Sequence, residues 1–85
     1  MDVALVKQTR DIENIKAFGN KVRELRKERK ISQEQLAYSA DLEVSQISRI
    51  ERGIINTSIS QVFQIAKALN IHPKQFFEFD FINKQ

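Results

Sequence analysis

Apolar residues recur at steps of three and four along most of this chain, which predicts a series of short amphipathic helices. The first helix is predicted over about residues 13–29, where one apolar stripe contains Ile15, Phe18, Val22 and Leu25. Gly19 interrupts this stretch and is expected to weaken the helix by about 1 kcal/mol relative to Ala. The pattern places one face of this helix against a core.

The second and third helices are predicted around a tight turn within residues 31–53. Ser32, followed three residues later by Gln35, matches a capping box at the start of helix two. That helix ends near residue 40, where Asp41 tolerates a left-handed backbone. Helix three is predicted over about residues 44–52 and is stopped by Gly53.

A fourth helix is predicted from Ser58, which forms a second capping box with Gln61 and precedes a stop at Asn70. Its predicted inner stripe is Ile59, Val62, Phe63, Ala66 and Leu69. A short fifth helix is predicted to begin with His72 as cap and Pro73 in the first turn. The pattern therefore predicts an all-α fold of five helices.

The two ends of the chain carry a different pattern. Residues 77–82 alternate apolar and acidic side chains, which favours a short strand, and residues 3–6 are a candidate partner for it in the same or a second chain. The division predicted is an N-terminal arm at 1–12, a domain at 13–78 and a C-terminal tail at 79–85. Terminal disorder is the competing interpretation.

Composition narrows the class of protein. The 85 residues suit one small domain, and the absence of cysteine excludes disulfides and thiolate metal sites. No apolar run approaches the roughly 18–20 residues of a membrane span, and the N-terminus lacks a secretory pattern. A cytoplasmic protein is expected. The single histidine and the scattered carboxylates form no catalytic or metal-binding cluster, and no Gly-rich phosphate loop occurs, so neither an enzyme nor a cofactor is expected.

Charge is distributed unevenly, with a formal net value of +3. Six basic residues and only two acidic ones, Glu24 and Glu28, fall within residues 21–30. Such a face suits a polyanion, although a solvated helix face is an equally good account of charge alone. The arrangement of side chains on helix three is more informative than charge. The side chains at 44, 45, 48 and 49 share one face opposite Ile47 and Ile50. A face of small polar and basic residues is typical of a helix that enters the major groove of DNA.

Four segments carry a resemblance to a known family. They read Val22-Arg-Glu-Leu-Arg26, Ile31-Ser-Gln-Glu-Gln-Leu-Ala37, Ile47-Ser-Arg-Ile-Glu-Arg-Gly53 and Ile65-Ala-Lys-Ala-Leu-Asn-Ile71. In this order and spacing, over about residues 18–77, they resemble the Cro and phage-repressor type of helix-turn-helix protein, also called the xenobiotic response element (XRE) family. The resemblance implies a compact five-helix, lambda-repressor-like domain that binds double-stranded DNA as a two-fold dimer.

The resemblance also implies roles for individual residues. Gln33 matches a position that contacts phosphate and braces the recognition helix, and Val44, Ser45, Ser48 and Arg49 match positions that reach base edges. Arg49 has the chemistry to contact guanine and Val44 the chemistry for an apolar contact such as a thymine methyl. Arg49 paired with Glu43 or with a phosphate is the alternative. Expected contacts with the DNA backbone come from Gln46, Arg52 and Asn56.

A structural ion pair between Arg26 and Glu51 is also implied by the resemblance, and it removes both residues from the DNA-contact set. The chain departs from the family at Asp41, where Gly is common, and at Glu43, where Ser or Thr is common. Glu43 is a poor N-cap and would repel phosphates unless it turns aside. Thr57 replaces a common Pro. The expected dimer interface consists of Ile54, Ile55, Phe77, Phe79 and Phe81.

These features predict a sequence-specific regulator of transcription, most simply a repressor, acting as a homodimer on a pseudo-palindromic operator. Half-site centres about one helical turn apart, roughly 10–10.5 base pairs, are expected. An antitoxin or a controller of restriction–modification genes that regulates its own operon is an alternative role. A protein-interaction module that uses the aromatic cluster of Phe76, Phe77, Phe79 and Phe81 is the rival function. No membrane or small-molecule partner is expected.

Overall fold

The computed structural model describes residues 11–80, which contain four α-helices. These are α1 (Ile12–Glu28), α2 (Gln33–Ala40), α3 (Val44–Arg52) and α4 (Ile59–Leu69), and a 3₁₀ helix (Pro73–Phe77) follows them. The predicted fifth α-helix is therefore wrong in type. A segment of five residues suits the tighter 3₁₀ turn. That turn is still anchored, because Phe76 lies completely buried in the core.

The predicted terminal strands are only partly within the described residues. Phe77 ends the 3₁₀ helix and residues 78–80 form no strand, so the strand predicted for residues 77–82 is wrong over its described part, residues 77–80. Residues 3–6 and residues 81–82 lie outside the described residues. Within residues 11–80, no helix combines the length and the apolar character needed to cross a membrane.

The capping boxes predicted at two helix starts are confirmed. At α2, the Gln35 backbone N–H donates to Ser32 Oγ at 3.0 Å, and the Ser32 N–H donates to Gln35 Oε1 at 2.7 Å. At α4, the same reciprocal bonds join Ser58 and Gln61 at 3.1 and 3.3 Å. Each box satisfies two backbone groups that a helix start would otherwise leave without a partner. Local sequence alone therefore fixes where these two helices begin.

Left-handed residues end the helices, as the turn chemistry predicted. Asp41, Gly53 and Asn70 have φ values of 59°, 71° and 57° at the ends of α2, α3 and α4. Asp41, which stands where the resembled family commonly has Gly, therefore adopts the left-handed conformation that Gly favours. Lys30 also has a positive φ, 57°, which the sequence did not indicate. The local bonds of a helix-ending turn accompany it, because the Lys30 N–H donates to the Lys27 oxygen at 2.9 Å and the Ile31 N–H to the Arg26 oxygen at 3.5 Å.

The core lies between the helices, with α3 packed against both α1 and α2. Six large side chains are almost completely buried: Phe76, Leu36, Ile47, Ile50, Ile65 and Val22. The predicted stripe of α1 is confirmed at Phe18, Val22 and Leu25, which are buried, while Ile15 is half-buried. Ile47 and Ile50 hold α3 in place from its inner side, and this leaves its outer side free for another role.

The inner stripe predicted for α4 is wrong in two places. Phe63 is 57% exposed and Ile59 is 69% exposed. The helix packs instead through Val62, Ile65, Ala66 and Leu69, which are all buried. Ile65 was left out of the predicted stripe. Including it shifts the centre of the apolar face away from Phe63, because residues two apart lie on nearly opposite sides of a helix.

Candidate nucleic-acid interface

The outer face of α3 presents the four side chains expected to reach base edges. Ser45 and Arg49 are exposed, Val44 is 42% exposed and Ser48 is half-buried. Ile47 and Ile50, three residues apart on the inner side of the helix, are almost completely buried. The structure thus brings Val44, Ser45, Ser48 and Arg49 together on the solvent side of a helix whose inner side is fixed in the core.

The start of α3 uses a capping arrangement that the sequence interpretation missed. Glu43 occupies the N-cap position in an extended conformation, and its backbone N–H donates to Gln46 Oε1 at 3.1 Å. Gln46, expected to contact the DNA backbone, therefore also caps its own helix. The Glu43-x-x-Gln46 spacing repeats that of the two serine boxes and was the available signal. A missing Ser or Thr at position 43 thus does not leave the helix start without a cap.

A buried ion pair fixes α3 against α1. Arg26 Nε donates to Glu51 Oε2 at 2.6 Å and Arg26 Nη2 donates to Glu51 Oε1 at 2.9 Å, so the pair is bidentate. The two side chains are 10% and 2% exposed. The hydrogen bond to the Glu51 carboxylate raises the pKa of Arg26 above its ordinary value, against the opposing effect of burial. The structure therefore brings together the two residues expected to form a structural pair.

Gln33 extends this pair to the start of α2. Its side-chain Nε2 donates to Glu51 Oε1 at 3.0 Å, while Arg26 Nη1 donates to the backbone oxygen of Ile31 at 2.8 Å. Glu51 therefore receives hydrogen bonds from α1 and from α2. Gln33 is half-buried, and its amide nitrogen carries a second N–H. This geometry shows the bracing part of the role expected for Gln33, and it leaves a donor for an external acceptor.

Arg52 and Asn56, the other expected backbone contacts, are exposed at the end of α3 and in the loop after it. Arg52 Nε donates to the backbone oxygen of Ser48 at 3.3 Å, which places a cation at the C-terminal end of the helix. Gly53 brings the loop against α1, because an added Cβ would lie 2.7 Å from the Cα of Lys16. The loop that carries Asn56 is thus held close to the first helix.

The residues expected at a dimer interface do not share one environment. Ile54 and Phe77 are 45% and 53% exposed, whereas Ile55 and Phe79 are half-buried and pack against the core. Phe81 lies outside the described residues. Phe77 contacts the core aromatic Phe18, with ring centroids 5.4 Å apart. Only part of the predicted interface is therefore available on the surface of the described chain.

An apolar groove of about 520 Å³ lies beside these residues. Its lining includes Ile15, Phe18, Ile59, Val62, Phe77 and Phe79. The exposed side chains of Ile59 and Phe63 adjoin one another on α4, four residues apart. The sequence interpretation missed this surface because it assigned both α4 residues to the core.

The described residues offer no metal-binding group. Residues 11–80 contain no cluster of three or more His, Cys, Asp or Glu side chains suited to a metal ion. His72 acts as a helix cap, since its Nδ1 accepts a hydrogen bond from the Lys74 backbone N–H at 3.0 Å. The helix-cap role expected for this histidine is therefore confirmed.

Comparison with known sequences finds relatives among bacterial and phage regulators. The control protein C.BamHI of Bacillus amyloliquefaciens is 44% identical over 63 residues, which are 73% of this chain and 78% of that protein. The immunity repressor protein of Bacillus phage phi105 is 43% identical over 53 residues, but these cover only 37% of the repressor. The similarity to the control protein thus spans most of both chains.

Comparison of structures agrees with that of sequences. The restriction-modification controller protein C.AhdI from Aeromonas hydrophila superposes with a TM-score of 0.76 at 37% identity, covering 76% of this chain and 98% of that one. The wild-type controller protein C.Esp1396I superposes with a TM-score of 0.71 at 32% identity. The model of the helix-turn-helix family HTH_3 matches residues 22–76, well over half of the sequence. The chain therefore belongs to the helix-turn-helix family.

Proposed function

We propose that this protein is a transcription regulator that binds double-stranded DNA in a sequence-specific way. The observation that carries the proposal is the division of α3 into two faces. Ile47, Ile50 and Glu51 fix its inner side to the domain, while small polar and basic side chains cover its outer side. A helix held rigidly in this way presents its outer face to the major groove.

The proposed contacts fall into two groups. Arg49 has the length and the donors to bind guanine O6 and N7 together, and Ser45 and Ser48 have hydroxyls that donate or accept. Gln33 and Gln46 at the starts of α2 and α3, with Arg52 and Asn56, are proposed to contact the phosphate backbone. Phosphate contacts position the protein on the duplex, while the base contacts select the sequence.

The exposed carboxylate of Glu43 lies at the start of the proposed recognition helix. A negative charge there interacts favourably with the helix dipole but unfavourably with nearby phosphates. We expect this residue to restrict how closely the helix start approaches the backbone. Its effect is on affinity for any duplex more than on the choice of sequence, because a phosphate carries no sequence information.

A homodimer is the proposed functional form. So small a domain reads only a few base pairs, and two copies related by a two-fold axis read a pseudo-palindromic operator. Ile59 and Phe63 on α4, together with Phe77, are large apolar side chains that remain exposed beside the apolar groove. We place the dimer contact on this surface, which revises the interface predicted from sequence. Ile54 remains part of the proposal.

Among regulators, control of restriction–modification genes is the role best supported. Two proteins named as control or controller proteins match this chain over 78% and 98% of their own lengths. The matching phage repressor is covered over only 37% of its length, so it contains a large region that this similarity does not include. The role of a control protein is therefore proposed for this chain on the strength of these two matches.

Selection of bound duplexes from a random DNA pool, at salt near physiological, tests the function. The expected product is a two-fold motif with half-site centres roughly 10–10.5 base pairs apart. The Lys67→Ala variant serves as a control, because it removes one exposed positive charge from α4 and leaves α3 intact. Recovery of no motif with the unmodified protein would contradict sequence-specific binding.

A further inference from the structure

The apolar groove beside α4 lies where the described part of the chain begins. Asp11, the first described residue, belongs to its lining together with the apolar side chains. A cleft of this volume, about 520 Å³, buries most of a drug-sized molecule, which is also the size of a few apolar side chains. A contiguous apolar surface on a small domain usually marks a contact site, so we searched for the group that fits this one.

The segment that leads into the groove is itself apolar. Residues 3–6 read Val-Ala-Leu-Val, whereas the linker at residues 7–10 is polar and reads Lys-Gln-Thr-Arg. From Val6 to Asp11 the chain spans at most about 18 Å. Because Asp11 already lines the groove, a linker of this length brings residues 3–6 within reach of the groove of the same chain.

The strand pairing predicted for residues 3–6 has no counterpart in the described part of the tail, because residues 78–80 form no strand. An extended segment can instead bury its side chains against an apolar surface. The C-terminal residues that follow the described chain are less suited to this groove. They contain two apolar side chains, Phe81 and Ile82, followed by Asn-Lys-Gln, whereas residues 3–6 form an uninterrupted apolar run.

Charges around the groove complement those of the linker. Glu78 and Asp80 are exposed on either side of a groove residue of the tail, and Asp11 is exposed in the lining itself. The linker contains Lys7 and Arg10 and no acidic residue. Exposed pairs of this kind contribute little to affinity but favour one arrangement over others. The apolar run and the charges that follow it therefore both match this surface.

We propose that residues 3–6 occupy the groove of their own chain, with the side chains of Val3, Leu5 and Val6 against its apolar wall. Ile59 and Phe77 line the groove and also belong to the proposed dimer contact, so the seated segment lies at the edge of that contact. The groove contains no residue of α3, and its occupation is therefore independent of the proposed binding of α3 to DNA.

Cysteine cross-linking of the full chain, without DNA, tests the contact. The sequence contains no cysteine, so two introduced cysteines define one disulfide within a chain. Leu5→Cys places one in the middle of the segment, and Thr57→Cys places the other in the groove lining, outside the proposed dimer contact. A disulfide forms readily only when the two Cα atoms come within about 7 Å. Rapid oxidation to a disulfide within one chain is the expected result.

A matched pair of variants separates seating from reach. Val3→Ser and Val6→Ser, added to the two cysteines, remove apolar contact while keeping the length of the linker. They are expected to slow the cross-link at least about tenfold, since the valine side chains no longer favour burial. Gln8→Ser, added in their place, alters only the polar linker and is expected to leave the rate unchanged.

Three results would overturn the inference. A rate that the serine substitutions leave unchanged would show that reach alone brings the two cysteines together. A disulfide that joins two chains would assign the groove to a second copy of the protein. Faster cross-linking of Thr57→Cys with Ile82→Cys than with Leu5→Cys would assign it to the C-terminal tail.

Discussion

Gly19 of α1 faces the backbone carbonyl of Ile50 in α3 so closely that no side chain fits between the two helices. A Cβ atom at position 19 would collide with the Ile50 oxygen and would lie 2.9 Å from the Glu51 oxygen. Both atoms belong to backbone and cannot move aside as a flexible side chain would. The glycine therefore sets the distance between the first helix and the proposed recognition helix.

Gly19→Ala is expected to destabilise the protein, although alanine is the better helix former. Overpacking of a close contact typically costs about 1–3 kcal/mol, which exceeds the roughly 1 kcal/mol gained in helix propensity. Thermal unfolding followed by circular dichroism measures the balance. Asn20→Ala, at the exposed neighbouring position of α1, is the matched control and is expected to leave stability unchanged or slightly raised. A Gly19→Ala protein as stable as the control would show that the helices separate without loss.

Arg26→Ala is expected to lower the free energy of unfolding by about 3–5 kcal/mol, because it leaves the buried Glu51 carboxylate without its ionic partner. The bidentate bonds at 2.6 and 2.9 Å make this the strongest polar contact between α1 and α3. Denaturant unfolding measures the loss. Arg23→Ala removes an exposed cation from the same helix and serves as the control.

A double substitution distinguishes the loss of the ion pair from the cost of leaving one buried charge without its partner. Replacing Arg26 and Glu51 together by methionine is expected to cost less than Arg26→Ala alone, because no uncompensated charge remains in the core. An unchanged melting temperature in Arg26→Ala would contradict the structural role of the pair. Loss of DNA affinity without loss of stability would instead assign Arg26 to the DNA-contact set.

Arg49→Ala is expected to relax specificity at one base pair in each half-site, with a loss of about 1–3 kcal/mol of discrimination there. Competition binding against operators altered at single positions measures this. Lys67→Ala removes the same charge from an exposed position of α4 and is expected to preserve the preference at every position. A uniform loss of affinity across all sequences in Arg49→Ala would assign the residue to phosphate.

Phe63→Ser is expected to weaken dimerisation at least about tenfold while leaving the fold intact, because the ring is 57% exposed in the single chain. Sedimentation equilibrium over a range of protein concentrations measures the association. Tyr38→Ser on α2 removes an aromatic side chain that is 79% exposed and is the matched control. Equal dimerisation of both variants would place the interface away from α4.

Local chemistry explains most of what the sequence predicted correctly. The boxes of Ser32 and Ser58 and the left-handed residues Asp41, Gly53 and Asn70 depend on backbone groups a few residues apart. The positions at which these helices start and stop could therefore be predicted without knowledge of the tertiary fold. The outer face of α3 could also be predicted from local sequence, because the 3.6-residue helical period places its polar side chains on one face.

The errors concern features that depend on packing between helices. Periodicity indicates that α4 has an apolar face but does not fix its centre, so Phe63 was assigned to the core in place of Ile65. Gly19 was interpreted as a local weakness because its tertiary contact lies 31 residues away, at Ile50. The left-handed conformation of Lys30 and the 3₁₀ form of residues 73–77 were also not predicted, because neither residue type nor apolar spacing distinguishes them.

The two faces of α3 have separate sets of residues, and this separation bears on how such a protein diverges. Ile47, Ile50 and Glu51 are buried and maintain the architecture, while Val44, Ser45 and Arg49 are exposed and Ser48 is half-buried. If the outer set selects the operator as proposed, its mutation is expected to change the preferred sequence with little penalty in folding, so that new specificities would need only a few surface exchanges on an unaltered scaffold. The same property makes the outer face a compact target for redesign toward a chosen DNA sequence.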